Sequence, residues 1–205
     1  EVFIKRDGKL HHISYRDGKK YSNLSIKDNV GKRNTGTLIN FLPDPSYFDS
    51  SKFSVVRLKH LLRAKAVLCL GLTVVFEDET ASNKNESKYD WYYEDGLKSY
   101  LSSELSDKEL VLANPFYGSA EGEGEEADWA VQWQTQNNEA LSESYVNLIP
   151  TSQGGTHVNG LRTGLVDALR EFCEFRNLLA RGIKIAPEDV WKNCNFVLSV
   201  KMIDP

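Results

Sequence analysis

The stretch that decides the fold is residues 143–205, ESYVNLIPTSQGGTHVNGLRTGLVDALREFCEFRNLLARGIKIAPEDVWKNCNFVLSVKMIDP. Residues 145–149 read as a strand, 151–158 as a polar glycine loop and 158–176 as a helix. Along that helix Leu161, Leu165, Leu169 and Phe172 form one apolar stripe at helical spacing. Gly160, Gly164 and Ala168 add a line of small residues. A mid-helix Gly costs about 1 kcal/mol relative to Ala, so Gly164 points to close backbone packing. Pro187 with Glu188 and Asp189 opens a short helix, because Pro suits the first turn and acids complement a helix N-terminus. Residues 196–202 return as a strand. The order is that of a mixed α/β (α+β) chain.

The N-terminal part carries more strand and turn signals. Residues 2–6 and 10–15 flank Asp7-Gly8, a pair that tolerates the positive φ of a tight hairpin. Arg16-Asp17-Gly18 marks a second turn. Residues 36–41 read as a strand closed by Pro43 and Pro45, which cannot donate to a ladder. Residues 54–69 have helical spacing, with Val55, Leu58, Leu61, Leu62 and Leu68 inward and Arg57, Lys59, Arg63 and Lys65 wet. Gly71 ends that helix and 72–76 is a buried strand. Residues 77–88 lose nearly all apolar character and mark a domain boundary or a surface hairpin. Asp95-Gly96 precedes a helix over 97–105, and 129–134 is a strand. Residues 117–128, acidic and glycine-bearing, read as a solvated loop, since the acids lack fixed ligand spacing.

Composition narrows the classes. The 205 residues are 40% hydrophobic and 26% charged, which excludes general disorder. The most apolar stretch, 64–76, is too short to span a membrane. A net charge of −4 excludes a generally basic nucleic-acid coat. Cys69, Cys173 and Cys194 lack close spacing, so buried free thiols in a cytosolic protein are expected, with no zinc site. The one methionine is Met202 and the chain opens on Glu-Val-Phe-Ile. A piece of a longer chain is the expectation.

Catalytic patterns are sparse. The histidines are His11, His12, His60 and His157, and the adjacent pair alternates faces on a strand, so it cannot ligate one metal. His157 follows Gly154-Gly155 at a helix start, where backbone N–H groups can hold an anion. The competing reading, which local physics favours, is a tight turn with Thr156 or His157 supplying a cap. Basic residues on the two helices, Arg57, Lys59, Arg63 and Lys65, then Arg162, Arg170, Arg176, Arg181 and Lys184, allow weak salt-dependent contact with duplex DNA. Asp167, Glu171 and Glu174 dilute the second group.

The run from ESYVNLIPTSQGGTHVNGLRTG onward closely resembles the B subunits of bacterial type IIA topoisomerases. The G-G-T-H loop and the S-V-K-x-x-D-P ending resemble both branches of that family. R-E-F-C-E-x-R-N-L-L and E-D-x-W-x-x-C resemble the topoisomerase IV branch over the gyrase branch. Upstream, GKRNTGTLINFLPD and FDSSKFSVVRLKHLLRAKAVLCLG are similar to the second part of the ATPase domain in the same B subunits. The resemblance covers essentially the whole chain.

The resemblance implies that residues 1–88 are the C-terminal part of an ATPase domain of the gyrase, chaperone, histidine-kinase and MutL type. Residues 89–205 would be a transducer domain with a ribosomal-protein-like fold. It places Thr37, with Gly36 and Ile39, at the adenine end of ATP, and Arg6 at the rim of the same cleft. A strand presents alternate side chains to one face, so Thr37 and Ile39 share it. Taken by themselves, these are an ordinary strand Thr and a solvated edge charge. The resemblance also places the catalytic glutamate, the Mg²⁺-binding asparagine and the glycine-rich lid upstream of Glu1. The glutamine–lysine loop would follow Asp204-Pro205. Phosphoryl transfer depends on such positioning groups, so no catalytic residue is expected here and the chain alone should bind ATP weakly or not at all. Its strands would then have open edges.

The implied partners are a topoisomerase IV A subunit in a heterotetramer, a second B subunit on ATP binding, and duplex DNA, in the bacterial cytoplasm with the chromosome and without a membrane. ATP and Mg²⁺ are the implied cofactors. A swing of the transducer against the ATPase domain would pivot near 83–88. Two alternatives remain, a gyrase B subunit and a non-catalytic interaction module.

Overall fold

The computed structural model describes residues 1–83, 87–136 and 139–203. They form two compact units, Glu1–Ser54 and Val55–Pro205.

In the first unit β1 (Val2–Arg6) and β2 (Lys9–Ile13) make the expected hairpin. Asp7 and Gly8 take φ of 52° and 77°, the left-handed pair that a two-residue turn demands. The second turn joins β3 (Tyr15–Arg16) and β4 (Lys19–Lys20). With β5 (Ser25–Asn29) and β6 (Gly36–Ile39), the first two strands form an antiparallel sheet of order β5-β2-β1-β6. Ser14 alone is buried among the described residues 1–54, while Leu38, Ile39, Phe41 and Leu42 lie exposed. Within this unit no second layer covers the sheet, so its apolar side chains meet solvent.

The second unit is built in three layers. Its elements are α1 (Val55–Leu68), β7 (Val74–Glu77), β8 (Lys88–Trp91), α2 (Leu97–Glu104), β9 (Phe116–Gly122), β10 (Glu125–Trp133), β11 (Ser142–Val146), β12 (Ile149–Pro150), α3 (Thr156–Phe175), α4 (Pro187–Trp191) and β13 (Cys194–Met202). The sheet order is β12-β11-β13-β10-β9, with β13 antiparallel to β10 and parallel to β11. One face sets Ala130, Tyr145 and Val197 against Ala64, Val67 and Leu68 of α1 and Leu97 and Leu101 of α2. The other sets Val131, Phe196, Leu198 and Val200 against Val158, Leu161 and Leu165 of α3. Central β13 is covered on both faces: Phe196, Leu198 and Val200 pack toward α3, while Val197 packs toward α1 and α2 between buried Asn195 and Ser199.

The structure corrects several expectations. Residues 117–128 are not a loop but most of the β9–β10 hairpin, turning at Gly124 with φ 79°. An exposed edge strand carries charges that imitate loop composition. Gly160 and Gly164 face open space rather than a packed backbone, because α3 buries Val158 and Val166 from its other side. On α1 the buried positions are Ala64, Ala66, Val67 and Leu68, and Arg63 and Lys65, expected on the wet face, are half-buried. All three cysteines are free, but only Cys194 is buried. Burial pushes its thiol up to about 12.

Residues 77–88 connect the antiparallel pair β7–β8, the surface-hairpin alternative, and Lys84, Asn85 and Glu86 of that connection lie outside the described residues. The compact units divide at Ser54, and within the second unit α1 shares a core with α2.

Candidate functional site

Strand register brings the four expected site residues onto one sheet. β6 pairs with β1 so that Thr37 lies opposite Ile4 and Ile39 opposite Val2, while Gly36 lies opposite Lys5. Directly opposed residues share a face and alternate residues of one strand do too. Val2, Ile4 and Arg6 therefore stand on the face of Thr37 and Ile39. Gly36 has φ 156°, leaves open space where a Cβ would stand and begins the strand. All of β6 is exposed. Arg6 is also exposed, 3.7 Å from the Asp7 carboxylate, an interaction that water screens heavily. The face thus offers a hydroxyl, an aliphatic floor and an exposed cation at one end.

The adjacent histidines divide between faces, as their alternation requires. His11 pairs opposite Ile4 on the Thr37 face. On the other face the His12 ring lies against Phe3, with centroids 4.5 Å apart, and its Nε2 is 3.7 Å from the Glu1 carboxylate. Among the described residues no group of His, Cys, Asp and Glu is arranged to hold a metal ion.

The glycine loop of the second unit is a structural turn. Gly154 and Gly155 take φ of 72° and 153°, and neither Thr156 nor His157 caps α3 through its side chain. Instead His157 Nε2 lies 3.0 Å from Thr151 Oγ1, which lies 2.7 Å from buried Ser144 Oγ. These contacts fasten the helix start to β11. The His157 side chain is committed there, which favours the turn reading over an anion cradle.

The basic helix residues are largely engaged within the chain. Lys59 Nζ donates to Tyr89 Oη at 2.6 Å, and Lys65 Nζ donates to the Leu148 carbonyl at 2.6 Å. Arg170 Nε donates to the Ile185 carbonyl at 2.9 Å, and Arg162 lies over the Trp191 ring at 5.4 Å. A DNA-binding face built from these side chains is correspondingly reduced.

Sequence reading missed a cleft of about 780 Å³ in the second unit, bounded by Leu70, Leu97, Tyr117 and Leu148. At its polar end Lys201 Nζ donates to Glu126 at 3.0 Å and lies 4.0 Å from Asp128. Burial, and then the Glu126 charge, hold the Asp128 carboxyl above the usual carboxylate range. The alternation of β10 and β13 carried the signal, since it puts Glu126, Asp128, Ser199 and Lys201 on one face.

The family model for DNA gyrase B matches residues 96–205, more than half of the chain. The chain belongs to the DNA gyrase B family. Along its whole length it is 57% identical to the B subunit of DNA topoisomerase 4 from Pseudomonas aeruginosa and 51% identical to that from Escherichia coli, covering 32% of each. It therefore spans about a third of the length of these relatives. Among solved structures of the family, the topoisomerase IV ATP binding domain of Francisella tularensis, in complex with a small-molecule inhibitor, aligns over all of this chain and 54% of its own, at TM-score 0.79 and 42% identity. The 43K ATPase domain of Thermus thermophilus gyrase B, in complex with an aminocoumarin, aligns at TM-score 0.85 and 26% identity, with 55% of its own length covered. The resemblance expected from the G-G-T-H loop onward is borne out, and so is the mixed α/β fold of the gyrase B type.

Proposed function

We propose that this chain is the coupling part of a topoisomerase IV B subunit, carrying nucleotide state from an ATPase domain toward a DNA gate held by an A subunit. The observation that carries the reading is the 57% identity with a topoisomerase 4 B subunit across every residue of the chain. Residues 1–88 would close the ATPase domain and 89–205 would form the transducer. Two such subunits would associate on ATP binding and act on duplex DNA in the bacterial cytoplasm. Among the described residues no helix is long and apolar enough to cross a membrane.

The face of Thr37 and Ile39 fits the adenine end of ATP. A strand hydroxyl can exchange a hydrogen bond with the purine edge while the aliphatic side chain floors the ring. Gly36 lets the chain turn into the strand, and Arg6 gives a cation at the rim. ATP supplies the free energy that drives strand passage when bound with Mg²⁺. On this reading the groups that hold Mg²⁺ and activate water belong to other parts of the full-length protein, and these four residues bind and orient. Calorimetry tests the division of labour. The 205-residue chain should bind ATP no better than weakly, and a full-length protein carrying the same sequence should bind it with saturating heat. Submicromolar affinity of the chain alone would overturn the assignment.

A further inference from the structure

Two cations of α1, Arg63 and Lys65, hold polar groups of the elements packed around the helix. Arg63 Nε donates to Tyr93 Oη at 2.8 Å, its Nη2 pairs with the Glu104 carboxylate, and its guanidinium lies 5.1 Å over the Tyr100 ring. Tyr100 Oη in turn donates to both carboxylate oxygens of Glu143, at 3.0 and 3.1 Å. Tyr145 Oη donates to the same carboxylate at 2.8 Å. Glu143 and Tyr145 are both on β11, so the network runs from α1 through α2 to the sheet. Lys65 makes the second connection, to Leu148 in the turn that follows β11. That turn holds Asn147 and Leu148 at φ of 48° and 66°, a conformation a leucine rarely adopts. Asn147 then donates through Nδ2 to the Met202 carbonyl and accepts the Met202 N–H, both at 2.9 Å, at the end of β13.

Apolar packing of α1 on α2 is non-directional and allows the helix to slide, whereas a planar guanidinium bonded on two edges fixes its position. We propose that Arg63 is a positioning residue that locks α1 to the α2–β11 side of the second unit, so that a displacement of α1 reaches the sheet instead of being lost as slip. α1 begins at Val55, where the second unit begins, so motion passed along the chain from Ser54 enters through this helix. Burial and the adjacent Glu143 charge hold the Tyr100 and Tyr145 hydroxyls well above the usual phenol range, so both remain donors at every physiological pH. Burial opposes the Arg63 charge, but Tyr93 and Glu104 outweigh it.

The inference rests on reading the chain as part of an ATP-driven strand-passage protein, and the test separates the two. A full-length B subunit carrying this sequence, assembled with its A subunit, is assayed for ATP turnover and for decatenation in the same tube. Arg63→Glu should lower decatenation per ATP about tenfold, a typical coupling energy, with ATP turnover within about twofold of the unmodified protein. Combining Arg63→Glu with Glu104→Arg should restore most of the ratio. Tyr93→Phe, which deletes one hydroxyl and leaves the fold, should lower the ratio by a smaller factor. Parallel loss of both activities in Tyr93→Phe, unchanged coupling in Arg63→Glu, or a charge swap without recovery would each overturn the positioning role. If the unmodified protein lacks ATP-dependent decatenation, the functional reading falls and takes this inference with it.

Discussion

Substituting Gly118 by Ala tests how the β9–β10 pair packs. Gly118 sits directly opposite Trp129 in the antiparallel register. A methyl group added at 118 would stand 2.6 Å from Trp129 Cζ2 and 2.9 Å from Cε2. Ordinary carbon contacts lie at about 3.5–4.0 Å, so the indole must retreat by about 1 Å. Replacing a strand Gly by Ala would otherwise gain about 0.5–1 kcal/mol, and overpacking costs about 1–3 kcal/mol. The net expectation is a destabilisation of about 1–2 kcal/mol, equivalent to a fall in Tm of about 2–8 °C for a unit of this size. Trp91, Trp129, Trp133 and Trp191 all belong to Val55–Pro205, so tryptophan fluorescence during thermal unfolding reports that unit selectively. The control is Trp129→Ala, in which the same Gly118→Ala change should become neutral or stabilising. An equal cost in both backgrounds would show that the ring is not what excludes a side chain at 118.

Two further outcomes follow from the sites. Because burial and Glu126 raise the Asp128 carboxyl in the folded chain, the folded state holds that proton more tightly than the unfolded state. The sign follows by linkage: stability falls as pH rises through the ordinary carboxylate range toward the raised value. Asp128→Asn should therefore be more stable than the unmodified chain at neutral pH, with the gap closing as the pH falls below the ordinary carboxylate range. A gap that is constant with pH in thermal melts would contradict this. Thr37→Val in a full-length protein should raise the KM for ATP about five- to tenfold with kcat nearly unchanged, the signature of one lost binding hydrogen bond. An unchanged KM would remove Thr37 from the nucleotide site.

Much of the fold was legible where a single residue type has one physical use. Asp7-Gly8 announced its hairpin because few other pairs accept two positive φ values. The alternation of Phe196, Leu198, Val200 and Met202 with Ser199 and Lys201 announced the last strand. β9 was hidden, since an edge strand of Gly and Glu has the composition of a loop. Gly164 misled because propensity says what a mid-helix Gly costs and not which way it faces. For the site, strand alternation was enough to place Thr37 beside Ile39. Adding Arg6 to their face required the β1–β6 register, which no local pattern carries. The role of Arg63 was illegible for the same reason. Its partners Tyr93 and Glu104 lie 30 and 41 residues away in sequence, and a helix pattern alone assigns an arginine to water.

The account stands most directly on one assay. A full-length B subunit carrying this sequence, mixed with a topoisomerase IV A subunit, is given interlinked DNA circles with and without ATP. The account predicts ATP-dependent unlinking, with no negative supercoiling of relaxed circles under the same conditions. ATP-driven negative supercoiling would make it a gyrase instead, and failure to act on either substrate would contradict the coupling function altogether.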